Sequence, residues 1–286
     1  MRSVFGARSG EVKRSTCRSP VDTHPESHAD TSPKPHADPL PETLPAIALR
    51  HLLNTLYPPH CLACSTPVRR AGLLCAACWT NTPFIDGLAC DHCGTPLPGP
   101  LEDAPVHCDD CLRIARPWSH GRAALVYSDS ARRLVLALKH GDRHDIAAPA
   151  ARWLARRCAG LIRPDTLIAP VPLHPTRLFQ RRFNQSALLA RALAQEVARP
   201  ACPDLLRRIR RTSSQDGRTR EGRFENMQGA IAAHPRHAAR ITGRHILLVD
   251  DVMTSGATLA AAAEACFAAG ADHVDVAVMA RAKRQI

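Results

Sequence analysis

Apolar residues along this chain fall in short unbroken runs more often than in strict alternation with polar ones. The clearest run is Ile246, Leu247, Leu248 and Val249, with Asp250 and Asp251 directly behind it. An uninterrupted apolar run of this length fits a strand buried on both faces of a parallel sheet, because a half-wet strand alternates. A strand is therefore expected over 246–250, with the acids at its C-terminal end. A loop of Thr254, Ser255, Gly256 and Thr258 follows, then an Ala-rich stretch over 259–269 with strong helical propensity. Further strands are expected over 122–127, 167–169 and 274–279. Leu134, Val135 and Leu138 line one face of a helix over 130–140, and Leu188, Leu189 and Leu193 mark another over 184–197. A helix over 146–158 lies between them, with Asp145 as its expected cap. Strands alternating with helices predict right-handed βαβ crossovers, hence an α/β, Rossmann-like parallel sheet with ligands at its C-terminal strand ends. Residues 207–223 are polar and rich in Arg, Ser, Thr and Gly, and are expected to be a mobile loop. No hood over the sheet is evident apart from the cysteine-rich segment upstream.

The corner after Asp250 carries the most specific chemistry. Successive loop amides and a helix N-terminus make a pocket for an anion. Gly256 removes the Cβ that would block close approach of the backbone, and Thr254, Ser255 and Thr258 add hydroxyls. Asp250 and Asp251 repel a phosphate, so they face something else, such as sugar hydroxyls or a metal-bound sugar. A ligand that offers both a phosphate and a vicinal diol is a ribose 5-phosphate.

Ahead of the sheet the pattern changes. Residues 1–43 are dominated by Pro, His, Ser, Thr and Asp, lack apolar periodicity, and are expected to be a disordered extension. Residues 46–56 have helical spacing, stopped by Pro58 and Pro59. Four CxxC pairs follow: Cys61/Cys64, Cys75/Cys78, Cys90/Cys93 and Cys108/Cys111, with 10, 11 and 14 residues between successive pairs. Two such knuckles converging on one ion make a closed four-thiolate site, so eight cysteines suit two structural Zn2+ ions. Sequential pairing is the simplest arrangement; cross-braced pairing has the same spacing and stays open. Gly94 suits the tight turn of the third knuckle. The N-terminus has no export pattern, which points to the cytoplasm and away from disulfides. No apolar run approaches the length of a membrane span, so no membrane insertion is expected. The domain boundaries implied are 1–43 for the extension, 44–116 for a helix and double zinc ribbon, and 117–286 for the sheet domain.

Charge separates the two folded parts. The net charge is +12, but residues 117–286 hold 27 basic and 14 acidic residues, whereas 57–116 hold 4 and 6. A basic field attracts a polyphosphate or a nucleic-acid strand. The cysteine segment is acidic, and each four-thiolate site adds about −2 with its ion, so a docking or scaffold role suits it better than phosphate binding. Aromatic residues are only 4% of the chain, which leaves little for stacking bases.

The Asp250 loop resembles the signature of type I phosphoribosyltransferases, which bind phosphoribosyl pyrophosphate (PRPP). Taken with the cysteine array, Leu138-Lys139-His140-Gly141-Asp142, Pro170-Val171-Pro172-Leu173-His174, Arg181-Arg182-Phe183-Asn184-Gln185-Ser186 and Asn226-Met227-Gln228-Gly229-Ala230, the chain resembles the ComF family of competence-associated, amidophosphoribosyltransferase-like proteins. The resemblance spans about residues 47–283. It implies that Asp250 and Asp251 take the ribose hydroxyls and that Val252, Met253, Thr254, Ser255, Gly256, Ala257 and Thr258 cradle the 5-phosphate. Val171, Pro172, Leu173 and His174 resemble the pyrophosphate loop, Lys139 would approach a phosphate, and Arg182, Asn184 and Gln185 would line the same cleft. Thr212, Gln215 and Arg223 belong to a segment that resembles a lid. Arg182 stands where the family usually has Gly, and Arg218 where an apolar residue is usual. Mg2+ as the companion of PRPP, single-stranded DNA and competence-machinery proteins as partners, and a role in DNA uptake are implied by the resemblance. A non-catalytic protein that uses this fold to handle single-stranded DNA is the alternative.

Overall fold

In the computed structural model the chain is described over residues 57–282, apart from 65, 102, 103, 141, 142, 175–182 and 213–218. The N-terminal extension and the helix expected over 46–56 lie outside the described residues. Two one-turn helices, α1 (Ala76–Thr80) and α2 (Asp109–Arg113), stand in the cysteine-rich segment. From there the order is β1 (Gly121–Val126), α3 (Asp129–His140), α4 (Ala147–Cys158), β2 (Leu167–Pro170), α5 (Gln185–Glu196), β3 (Leu206–Arg208), α6 (Arg220–Met227), β4 (Ile231–Ala233), β5 (His245–Met253), α7 (Ala257–Ala268) and β6 (His273–Arg281).

The main sheet is wholly parallel, in the order β1-β6-β5-β2. Its central strands are buried on both faces, as the unbroken apolar run in β5 requires. Side chains alternate across a strand. Ile246 and Leu248 enter one core with Val274, Val276 and the Ala-rich face of α7. Leu247 and Val249 enter the other, with Leu134, Leu138, Leu154, Leu189 and Leu193 from α3, α4 and α5. Burying a Leu or Val of this kind contributes about 1.5–3 kcal/mol. Among the described residues no helix is long and apolar enough to cross a membrane.

Three local expectations are corrected. β5 runs on to Met253, because parallel pairing with β6 continues to Met253↔Arg281; the strand therefore extends past Asp250, where it was expected to end, and takes in Asp251. Asp145 does not cap α4. A 3-10 turn at His144–Ile146 precedes that helix, and Asp145 accepts from Nε and Nη2 of Arg143, both at 2.8 Å. A bidentate ion pair outcompetes a single capping bond. Finally, the polar stretch over 207–223 is not all loop. β3 pairs antiparallel with β4, α6 follows at its end, and Thr219 caps α6 by accepting from the Gly222 N–H. Leu206, Met227, Ala230 and Ile231 bury the underside of this small unit against α7. Residues 213–218 lie outside the description.

The cysteine-rich segment packs on the sheet edge. β1 is an edge strand with free pairing groups, and Ile85 N donates to Ala124 O at 2.9 Å while Val126 N donates to Pro83 O at 2.9 Å. Gly94, at φ +67°, turns the third knuckle, and a Cβ there would lie 2.7 Å from the Ala123 amide nitrogen. Cys90, Cys93, Cys111 and Trp118 share the core of α7.

Candidate functional site

The eight knuckle cysteines form two groups in sequential order: Cys61, Cys64, Cys75 and Cys78, then Cys90, Cys93, Cys108 and Cys111. In each group all four sulfurs lie within 4.8 Å of one another. Cys64 Sγ and Cys75 Sγ are 3.7 Å apart, and Cys93 Sγ and Cys108 Sγ 3.6 Å apart. A tetrahedral Zn2+ with bonds of about 2.3 Å separates its sulfurs by about 3.8 Å, so the donor type and the spacing both fit zinc. Four thiolates leave no open coordination position, which makes these sites structural. The first group sits nearer solvent, where Cys64 is exposed; Cys90 and Cys93 of the second are fully buried.

The second centre of interest is where β5 meets α7. Residues 252–259, with Asp250, line a small pocket of about 30 Å3. Gly256 is left-handed at φ +86°, which aims the chain into α7. Behind the loop, a Cβ on Gly256 would lie 2.9 Å from Arg116 Nη1 and 3.1 Å from Trp118 Cη2, so any other residue here is both strained and crowded.

The other sequence-predicted residues gather on the α3/α5 side of β5. Ser186 Oγ donates to Asp250 Oδ1 at 2.7 Å, and the Asp251 N–H donates to the same oxygen at 2.9 Å. Asp251, 7% exposed, pairs with Lys139 Nζ at 3.2 Å. Asn184 caps α5 by accepting from the Ser186 N–H, and its Nδ2 donates to Val171 O at 3.1 Å. Gln185 Nε2 donates to Lys139 O at 3.2 Å. One helix start thus ties together the end of α3, the segment after β2 and the acid pair. Val171 and Pro172 are buried, with Leu173 and His174 half-buried beside them. Asp250 is pushed up to about 7, by burial first and then by the neighbouring Asp251 charge; Ser186, the Asp251 amide and Lys139 pull the other way. Near neutrality it is therefore a switchable carboxyl, while Asp251 has its cation in Lys139.

Thr212 is buried and bonded by Arg208 Nη2, and Arg223 lies in α6. Both belong to the small β3–β4 unit on α7 and stand outside the pocket lining. Arg182, Gln215 and Arg218 fall outside the described residues. The sequence did not single out Ser186, Arg116, Trp118 or Arg281 as site residues. Ser186 was legible in principle, as the second residue after an Asn cap; the arginines were not, since only the tertiary fold brings them to the loop.

A double zinc ribbon model matches residues 52–112, and a phosphoribosyl transferase domain model matches residues 184–285. The DNA utilization protein YhgH of Escherichia coli (strain K12) is 31% identical over 231 residues, 78% of this chain and 97% of that protein. Its Salmonella typhimurium counterpart is 33% identical over 67% of this chain and 83% of its own length. The chain belongs to the ComF/YhgH family. Competence protein F of Haemophilus influenzae is a further ComF/YhgH relative, 28% identical over 73% of this chain and 90% of its own. The parallel sheet is accordingly a phosphoribosyltransferase-type fold, and the two cysteine tetrads fit the zinc sites of a double zinc ribbon.

Proposed function

We propose that this ComF/YhgH protein binds PRPP with Mg2+ at the Asp250 corner and transfers the phosphoribosyl group in the service of DNA use or uptake. The observation that carries this reading is the pocket lined by 252–259 beside the Asp250–Asp251 pair. The loop amides, with the hydroxyls of Thr254, Ser255 and Thr258, hold the 5-phosphate. Asp250 and Asp251 accept hydrogen bonds from the ribose hydroxyls and stabilise positive charge as the C1 bond to pyrophosphate weakens. Asp250 accepts fully only when ionised, so the geometry works best above about pH 7. Lys139 turns from Asp251 to a phosphate oxygen. Asn184 holds the segment of Val171, Pro172, Leu173 and His174 as the pyrophosphate loop through Val171 O, Gln185 holds the end of α3 through Lys139 O, Arg182 lies in the same cleft, and Thr212, Gln215 and Arg223 belong to the lid. Carboxylates and hydroxyls suit a hard cation, and Mg2+, when bound, neutralises the leaving pyrophosphate. In this reading 117–286 is the catalytic domain, 44–116 the ribbon, 1–43 an extension, and the protein works in the cytoplasm.

A second reading has its own support. The relatives' names refer to DNA utilization and competence, and the excess of basic residues lies in 117–286. In that reading the fold handles single-stranded DNA without chemistry, alongside competence-machinery proteins. Calorimetry with PRPP, with and without Mg2+, separates the two. Binding that requires Mg2+ and disappears in the Asp250→Asn/Asp251→Asn double variant is expected. Binding of single-stranded DNA alone, indifferent to the double substitution, refutes the enzyme reading. Pyrophosphate release across nucleobases, ammonia and glutamine then identifies the acceptor.

A further inference from the structure

Two arginines hold the back of the Asp250 loop, and one of them also reaches the second cysteine tetrad. Arg281 ends β6 and is 4% exposed. Its Nη1 donates to Met253 O at 3.1 Å, Thr254 O at 2.7 Å and Ala282 O at 2.8 Å, and its Nη2 lies 3.8 Å from Cys93 Sγ. Arg116, 8% exposed, donates from Nη1 to Ser255 O at 2.7 Å. Trp118 packs beside Arg116, with Nε1 donating to His92 O at 2.6 Å. Three consecutive carbonyls are thus held from behind by two guanidiniums, and that of Arg281 also reaches a sulfur of the second tetrad.

The consequence follows from peptide geometry. In a trans peptide the carbonyl of one residue and the N–H of the next point to opposite sides. Fixing the carbonyls of Met253, Thr254 and Ser255 on the ribbon side turns the N–H groups of Thr254, Ser255 and Gly256 toward the other. Among the described residues no hydrogen bond uses those three N–H groups. A zinc-loaded four-thiolate site carries about −2, which holds the two cations where they are, and hydrogen bonds to metal-bound ligands are the ordinary way a site couples to its surroundings.

We propose that Arg281 and Arg116 are positioning residues through which the zinc-loaded second tetrad orients the 254–256 amides to receive a phosphate group. The phosphate part rests on the reading of the corner given above; the clamp itself does not. It makes the ribbon part of the site's back wall, and it assigns the two tetrads different roles, because these contacts reach only the second.

Hydrogen exchange on the full chain tests the clamp without any ligand. Exchange of the hydrogen-bonded amides flanking the clamp, Ala257, Ala260 and Ala282, is measured in the wild type, Arg281→Met and Arg116→Met, with zinc counted on each. Both variants are expected to keep two zinc ions and to exchange about tenfold faster at these amides, the scale of losing one charged hydrogen bond, with 167–170 unchanged. Arg281→Lys and Arg116→Lys, which keep the charge without the fork, provide milder versions should either Met variant fold poorly; intermediate exchange supports the clamp. Cys108→Ser is expected to speed exchange at these amides and Cys64→Ser to leave it alone. Unchanged exchange in well-folded, zinc-loaded arginine variants overturns the proposal. PRPP titration of the same proteins distinguishes the two failures. Equal affinity in the wild type and Arg281→Met, with unchanged exchange, removes the clamp and leaves the PRPP reading standing. No PRPP binding to the wild type removes that reading, and the exchange data still decide the clamp.

Discussion

Replacing Asp250 by Asn should stabilise the ligand-free protein while abolishing its proposed role. The carboxyl is raised from its ordinary 3.8 to about 7, because burial and the Asp251 charge both disfavour its ionised form. With the folded pKa above the unfolded one, the folded chain holds this proton more tightly. The associated stability is complete below about pH 4 and is lost as pH rises toward 7. At 1.36 kcal/mol per pKa unit the penalty above pH 7 has a ceiling of about 4 kcal/mol. Asn keeps an oxygen for the Ser186 hydroxyl and the Asp251 N–H, but its NH2 needs an acceptor, and an unmet donor costs about 1–3 kcal/mol. A net gain of about 1–3 kcal/mol at pH 8 remains. The difference from the wild type should fall by more than half at pH 5, where the wild-type carboxyl is already protonated in the folded state.

The assay is urea denaturation of zinc-saturated protein at pH 8 and pH 5, wild type beside Asp250→Asn, with PRPP calorimetry on both. A variant less stable than the wild type at pH 8, or a difference of the same size at the two pH values, refutes the account of Asp250 as a buried, strained carboxyl. A more stable variant that no longer binds PRPP would show the usual conflict between stability and a functional charge.

Metal analysis of reduced, full-length protein should give two zinc ions per chain. Cys202, Asp204 and His237 also cluster, but Arg240 Nη1 donates to Cys202 Sγ at 3.3 Å and His237 pairs with Asp204 at 2.8 Å, so a third bound ion would contradict this assignment. Asp275→Asn should cost about 2–3 kcal/mol at pH 7 in chemical denaturation, since Asp275 joins buried His245 at 2.9 Å and the His120 N–H at 2.9 Å. Burial raises the Asp275 pKa, yet His245 and His120 together bring it below the ordinary carboxylate value. The contribution is therefore present above about pH 4 and is lost as pH falls through the lower, folded pKa; a wild-type advantage that persists in strong acid would contradict it.

What the sequence disclosed depended on how local the cause was. The apolar run over 246–249 announced a doubly buried strand because burial on both faces leaves no polar position to interrupt it. The CxxC pairs announced knuckles, because a knuckle is a short-range geometry. The end of β5 was missed because Asp250 and Asp251 break the apolar pattern, while their backbone continues to pair with β6. The β3–β4 unit was missed because a three-residue strand amid arginines has no periodicity to detect; its cause is the apolar back of α7, distant in sequence. That back was visible in the composition of 257–268, where Glu264 is the one charged residue and a broad apolar face needs covering.

The position of the ribbon poses an electrostatic question that the two arginines answer. If the Asp250 corner receives a phosphate as proposed, a zinc-loaded four-thiolate site nearby sets about −2 behind the incoming anion, and in a low-dielectric interior such a charge is felt strongly. Arg116 and Arg281 are each bonded to loop carbonyls, and Arg281 also reaches a tetrad sulfur. Their two positive charges offset the tetrad's formal charge, so the pocket senses chiefly the loop's outward N–H dipoles. The acidic composition of 57–116 then ceases to argue against a ribbon beside a phosphate site. It argues only that the ribbon does not touch the phosphate, and that the arginines between them carry the influence of one upon the other.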